Sequence, residues 1–224
     1  MSKAGRPKHD PRDAGVVSGA IMRILVVCFC FCLLFASVAI AQPMPGPFGF
    51  ERGMTRAQII ALVGESQIKP NNDPHILVMT SAPKPNRQFE TYALFIAPKE
   101  GLLKVMAVGV SIQSGDSGFD VRQAYAGIVN GISQKYGAPA ERFDRCFGNE
   151  VECDSPEYWM LSLVQKNRSV MSFWGPGEYE NGVTAIMVEI VPLTTHYAYI
   201  TVHFEFKGFE AFADARETDQ NKSY

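Results

Sequence analysis

From Phe119 to Tyr136 the chain carries Val121, Tyr125, Ile128, Val129, Ile132 and Tyr136 at the spacing of one helix face. Gln123, Asn130, Gln134 and Lys135 keep the remaining surface polar. Apolar residues three and four apart make an amphipathic helix, and such a stripe has to be buried against another element. Gly137 stops this helix, Pro139 prevents its resumption, and Asp120 is the expected cap. The flanking segments are apolar and β-branched in short runs, so the receiving surface is a sheet. Strands are predicted over residues 75–80, 89–96 and 102–112 before the helix, and over 169–174, 183–191 and 197–206 after it. Gly127 and Gly131 cost the helix about 1 kcal/mol each relative to Ala, and close packing on the sheet is the expected reason for them.

An earlier, shorter helix starts at Thr55, a good cap, and stops at Gly64, with Ile59, Ile60 and Val63 on one side. Gly64 and Gly137 lie 73 residues apart, and three strands follow each. The order reads as tandem α-β-β-β repeats, an α+β fold with an antiparallel sheet and helices on one face. The halves run over residues 51–112 and 118–215. The second half carries an inserted helix that Ser155-Pro156-Glu157 initiates and whose apolar face is Trp159, Met160, Leu163 and Val164. Phe209, Ala211, Phe212 and Ala215 predict a last helical turn or two, and residues 216–224, without apolar pattern, are expected to fray. Residues 42–50 hold three Pro and two Gly and form a predicted extended arm.

Residues 22–42 give the chain an address. Met22-Arg23 precedes an apolar run from Ile24 to Ala36, and Ala39-Ile40-Ala41 supplies a small-x-small exit, the pattern of a secretory signal peptide cut after Ala41. Met22 is the more usual start for such a signal than Met1, whose following residues are polar. The rival reading keeps residues 21–41 as an uncleaved inner-membrane anchor, just long enough to span a bilayer. After cleavage no membrane span is expected, and the protein is periplasmic or secreted. Removing the first 41 residues takes five basic and two acidic residues and leaves a net charge of −5. That balance argues against capture of nucleic acid or of an anionic membrane surface. Cys146 and Cys153 are the cysteines that survive processing. An even count in an oxidising compartment reads as a structural disulfide, closing a short loop for about 2.5 kcal/mol.

The phrase Phe48-Gly49-Phe50-Glu51-Arg52-Gly53-Met54-Thr55, ahead of a helix ending at Gly64, resembles the repeat opening of β-lactamase-inhibitor-protein-like domains and of the small lipoproteins of outer-membrane assembly. The stretch with Gly101-Leu102 and Lys135-Tyr136-Gly137 is similar to uncharacterised exported bacterial proteins. The resemblance covers most of the mature chain and implies a binder or scaffold; its motifs mark turns and helix ends. The lipid-attachment Cys of the lipoproteins is missing at the expected mature start, and no inhibitory residue carries over.

Chemistry is sparse. There is no Gly-x-Ser-x-Gly elbow, no phosphate-cradling Gly-rich Lys loop and no His-Glu-x-x-His. His196 and His203 are seven apart, on opposite sides of a strand, and do not share a metal. Glu150, Glu152, Asp154 and Glu157 lack the mid-loop Gly of a calcium loop and read as a solvated rim. No cofactor is expected. On the last strand Ala198, Ile200, Val202, Phe204 and Phe206 form the core side; Tyr197, Tyr199, Thr201, His203 and Glu205 form the other. Tyr197, Tyr199 and His203 suit an interface, since Tyr is enriched there, and suit ordinary packing equally. Two functions remain: an exported, non-enzymatic binding or scaffold protein acting on an envelope protein, or a cell-envelope hydrolase with a carboxylate site that the sequence does not reveal.

Overall fold

The computed structural model describes residues 46–147 and 155–221. The predicted export segment, Cys153, Glu150, Glu152 and Asp154 lie outside the described residues. Among the described residues the elements are, in chain order, α1 (Arg56–Val63), β1 (Ile68–Lys69), β2 (Ile76–Met79), β3 (Phe89–Ala97), β4 (Gly101–Gly109), β5 (Ile112–Gln113), α2 (Phe119–Tyr136), β6 (Glu141–Cys146), α3 (Trp159–Val164), β7 (Arg168–Trp174), β8 (Val183–Thr194), β9 (Tyr197–Phe206) and α4 (Phe209–Asn221). No described helix is long and apolar enough to cross a membrane.

All nine strands join one antiparallel sheet in the order β1-β2-β3-β4-β9-β8-β7-β6, with β5 added to β9. The last strand of the first half therefore lies beside the last strand of the second. At that seam Lys104 faces Glu205, Met106 faces His203 and Val108 faces Thr201. Alternation along the strands sorts residues onto two faces. The first face carries Tyr92, Leu94, Val105, Ala107, Val188, Ile190, Ile200, Val202 and Phe204, all buried. Ile59 of α1, Val121, Ile128 and Val129 of α2, and Trp159, Met160 and Leu163 of α3 close over it in one core.

Local chemistry explains the helix ends. Thr55 Oγ1 accepts from the Gln58 amide while Gln58 Oε1 accepts from the Thr55 amide, a capping box that satisfies two otherwise free donors of α1. The end of α2 is tied down by Trp174, whose indole N–H donates to the Gly137 carbonyl at 2.8 Å. The cap of α2 is Gly118 in a left-handed conformation and not Asp120, whose amide instead receives Ser114 Oγ as its acceptor.

Four further features differ from the sequence expectation. The helices do not all share one face: Phe209 of α4 packs on Phe95 at 5.8 Å and Phe212 on His75 at 5.7 Å, placing α4 on the second face. Nor does the chain fray at residue 216. α4 continues to Asn221, held by an ion pair between Arg216 and Asp73 that ties it to the turn before β2. The strand predicted over 102–112 ends at Gly109, and Ile112-Gln113 pairs separately with β9. Finally, a Cβ at Gly127 or at Gly131 would meet nothing within 4 Å, so close packing does not explain these glycines. They face open space beside a hollow of about 310 Å³ lined by Phe48, Phe89, Ile128, Ile132 and Phe204.

Candidate functional site: the second face of the sheet

The second face follows from the same alternation. Its rows run across strands by register. One row is Ala93, Met106, His203, Met187 and Phe173; the next is Thr91, Val108, Thr201, Glu189 and Met171. Met106, Met171, Met187 and Phe173 are half-buried, unlike the sealed residues opposite. The α4 helix makes its ring contacts on His75, Phe95 and Lys104, at the end near β2–β4. Its border with the sheet is a cleft of about 690 Å³, within the size range of small-ligand sites. Phe173, Met187 and Phe209 give it apolar walls; Lys104, His203, Glu205, Glu210 and Asp214 give it polar ones.

Two of these polar groups are committed to each other. Lys104 Nζ donates to Glu205 Oε1 at 2.9 Å and lies 4.6 Å from the centre of the Phe209 ring. Pairing and ring contact together fix the ammonium at the seam of the two halves. Burial, and then the charge of Lys104, hold the His203 imidazole down at about 4. The ring is therefore neutral near pH 7, and a general base working at that pH wants a value much closer to it. Its Nδ1 is buried without a hydrogen-bond partner among the described residues, as is Oγ1 of Thr201 on the same face. Thr184 Oγ1 is engaged with the Glu205 carbonyl at 3.3 Å. Outside the cleft, burial raises the Glu189 carboxyl above its ordinary value.

The residues singled out by sequence are placed as follows. Tyr197 is exposed at 41% and pairs with Gln113 and Thr194; Tyr199 is half-buried opposite Val191. His203 lies six residues beyond Tyr197 and four beyond Tyr199, roughly 20 Å and 13 Å along the strand, and lines the cleft that neither tyrosine lines. The structure thus separates the two tyrosines from the histidine. His196 sits not on β9 but in the turn before it, 3.6 Å from Asp116. Among the described residues no cluster of His, Cys, Asp or Glu is suited to a metal. Cys146 ends the edge strand β6, and its predicted partner Cys153 is outside the described residues. Lys104 and Met106 escaped sequence reasoning because their place beside Glu205 and His203 depends on β4 pairing with β9, across about a hundred residues, while Met187 arrives through the β8–β9 pairing. The alternation within each strand was the one available signal.

Comparison of the chain with protein-family models, with curated proteins and with solved structures finds no match.

Proposed function

We propose that the protein is an exported, non-enzymatic binding or scaffold protein of the cell envelope, which holds its partner on the second face of the sheet. One observation carries this reading: a nine-stranded sheet seals one face under three helices and leaves a half-buried, methionine-rich strip on the other. Methionine is flexible and polarizable and is over-used where a surface must fit a partner. The tandem-repeat origin of the halves, cleavage after Ala41, the Cys146–Cys153 bridge and the likeness to β-lactamase-inhibitor-like and assembly-lipoprotein domains belong to the same proposal. The mirror-like strand order supports the first of these. An envelope extract passed over wild-type protein and over Met187→Lys tests the reading. A retained protein should be lost with Met187→Lys and kept with Leu62→Lys, which alters an exposed residue of α1. Equal retention by both variants would refute it.

The hydrolase alternative draws on the carboxylates Glu205, Glu210 and Asp214 lining one cleft. It requires turnover of envelope material that disappears with Glu210→Gln or Asp214→Asn while the fold is retained.

A further inference from the structure

We propose that the pocket between α2, α3 and strands β6–β7 is a binding site for a small oxyanion, a carboxylate or phosphate group, held by Arg122 and Arg142. The pocket lies on the helix-covered side of the sheet, away from the second face, and measures about 320 Å³. Arg142 stands directly opposite Ser172 on the neighbouring strand, and Arg122 comes from the first turns of α2. Both guanidinium groups line the pocket and neither makes a hydrogen bond or ion pair with a described residue. The one carboxylate there, Asp144, is already bound to Arg168. Among the described residues two positive charges are thus left uncompensated, in a chain whose expected mature form is acidic.

The floor supplies directional donors. Tyr125 Oη and Ser172 Oγ are 2.7 Å apart. One hydroxyl must donate to the other, which leaves the acceptor's own proton without a partner in that pair. Ser172 is only 1% exposed, so a group entering the pocket is what this spare proton can meet. A neutral acceptor would satisfy the proton but not the two guanidinium groups; an oxyanion satisfies all three, and bonds to ionised partners are the strong ones. The wall is the buried Trp159, with the Arg122 guanidinium 5.3 Å and that of Arg168 5.9 Å from its ring centre. Stacking on the indole limits where Arg122 can swing and keeps it at the pocket mouth. Lined by Arg, Tyr, Ser and Trp, the site can recognise either a free anion or the acidic end of a larger molecule by the same chemistry.

The experiment is a thermal melt of the purified protein in rising inorganic phosphate and, separately, acetate, with ionic strength held constant by chloride. A saturable rise in melting temperature with either anion is expected. Phosphate alone indicates a phosphoryl ligand, and acetate alone a carboxylate. Arg122→Gln with Arg142→Gln should abolish the rise, and Tyr125→Phe should weaken apparent affinity by about tenfold or more. Both arginines are exposed, so the double variant should melt like wild type without anion, and far-UV circular dichroism checks that it does. No rise above chloride in wild type, or an equal rise in the folded double variant, overturns the proposal.

Discussion

Gly101 and Gly53 meet where the first helix is anchored to the sheet. The Gly53 amide donates to the Leu102 carbonyl at 3.0 Å and the Leu102 amide to the Met54 carbonyl at 2.9 Å. Gly101 has a φ of +72°, and a Cβ there would lie 2.2 Å from the Gly53 carbonyl oxygen. Backbone sits on both sides of that clash, so no side chain can swing away. Gly101→Ala is expected to cost about 3 kcal/mol or more, read as a lowered denaturation midpoint; a cost below about 1 kcal/mol would mean the two segments part easily. His203 gives a second, pH-dependent prediction. Its ordinary value is 6.5 and its folded value about 4, so between these the unfolded chain binds more protons. Stability contributed by the neutral ring is present above the upper value and drains away as pH falls towards the lower, by roughly 3 kcal/mol in all. Glu189, raised by burial, works in the opposite sense: its contribution is present at low pH and lost as pH rises through its folded value. Urea titrations of wild type and His203→Gln across that window isolate the histidine, because Glu189 is common to both. Parallel curves would show that the imidazole is not desolvated.

Elements with their own periodicity were legible and elements made by pairing were not. The span and stop of α2 follow from Val121 to Tyr136 and Gly137, and β9 from its five alternating core residues, because both patterns are local. β6 reads Glu141-Arg142-Phe143-Asp144-Arg145-Cys146, with charge on both faces. As an edge strand it needs no apolar face, and its charges discourage further pairing, so no strand pattern appears. The length of α4 is hidden for a related reason: beyond Ala215 it has no apolar stripe, and Arg216 reaching Asp73 supports it instead. In the candidate site, His203 and the strand face were legible while Lys104 and Met106 were not, since their place beside His203 depends on a long-range register. The two glycines of α2 carry a prediction at this scale. Both are helical, and a Cβ would meet open space, so Gly127→Ala and Gly131→Ala should each stabilise the protein by up to about 1 kcal/mol through helix propensity alone. A thermal melt decides, and loss of stability in either variant would mean that the hollow beside them is filled in the folded protein.

At the scale of the whole molecule, what matters is whether two halves with separate helices and strands behave as one body. At the seam β9 pairs with β4 and, further along, with the short β5, and Lys104 and Glu205 cross it as an ion pair. Five register pairs with β4 and two with β5 would by themselves join the halves weakly. The core argues otherwise: Ile59, Leu77 and Leu94 of the first half and Ile128, Trp174 and Phe204 of the second belong to one buried cluster. Phe48 stacks edge-on against Phe89, Tyr92 and Phe204 within 5.9 Å, bridging both halves with one ring. Apolar surface shared in this way is lost from both sides when either half opens, so unfolding should be all-or-none. The tryptophans allow a direct check, because Trp159 and Trp174 both lie in the second half and are buried, whereas far-UV circular dichroism reports the sheet throughout. Guanidinium unfolding followed by the two signals should give coincident midpoints and slopes. A fluorescence transition that leaves part of the dichroism change behind would mean the halves unfold separately, and the second face of the sheet, which spans their seam, would then be assembled from two independently stable pieces.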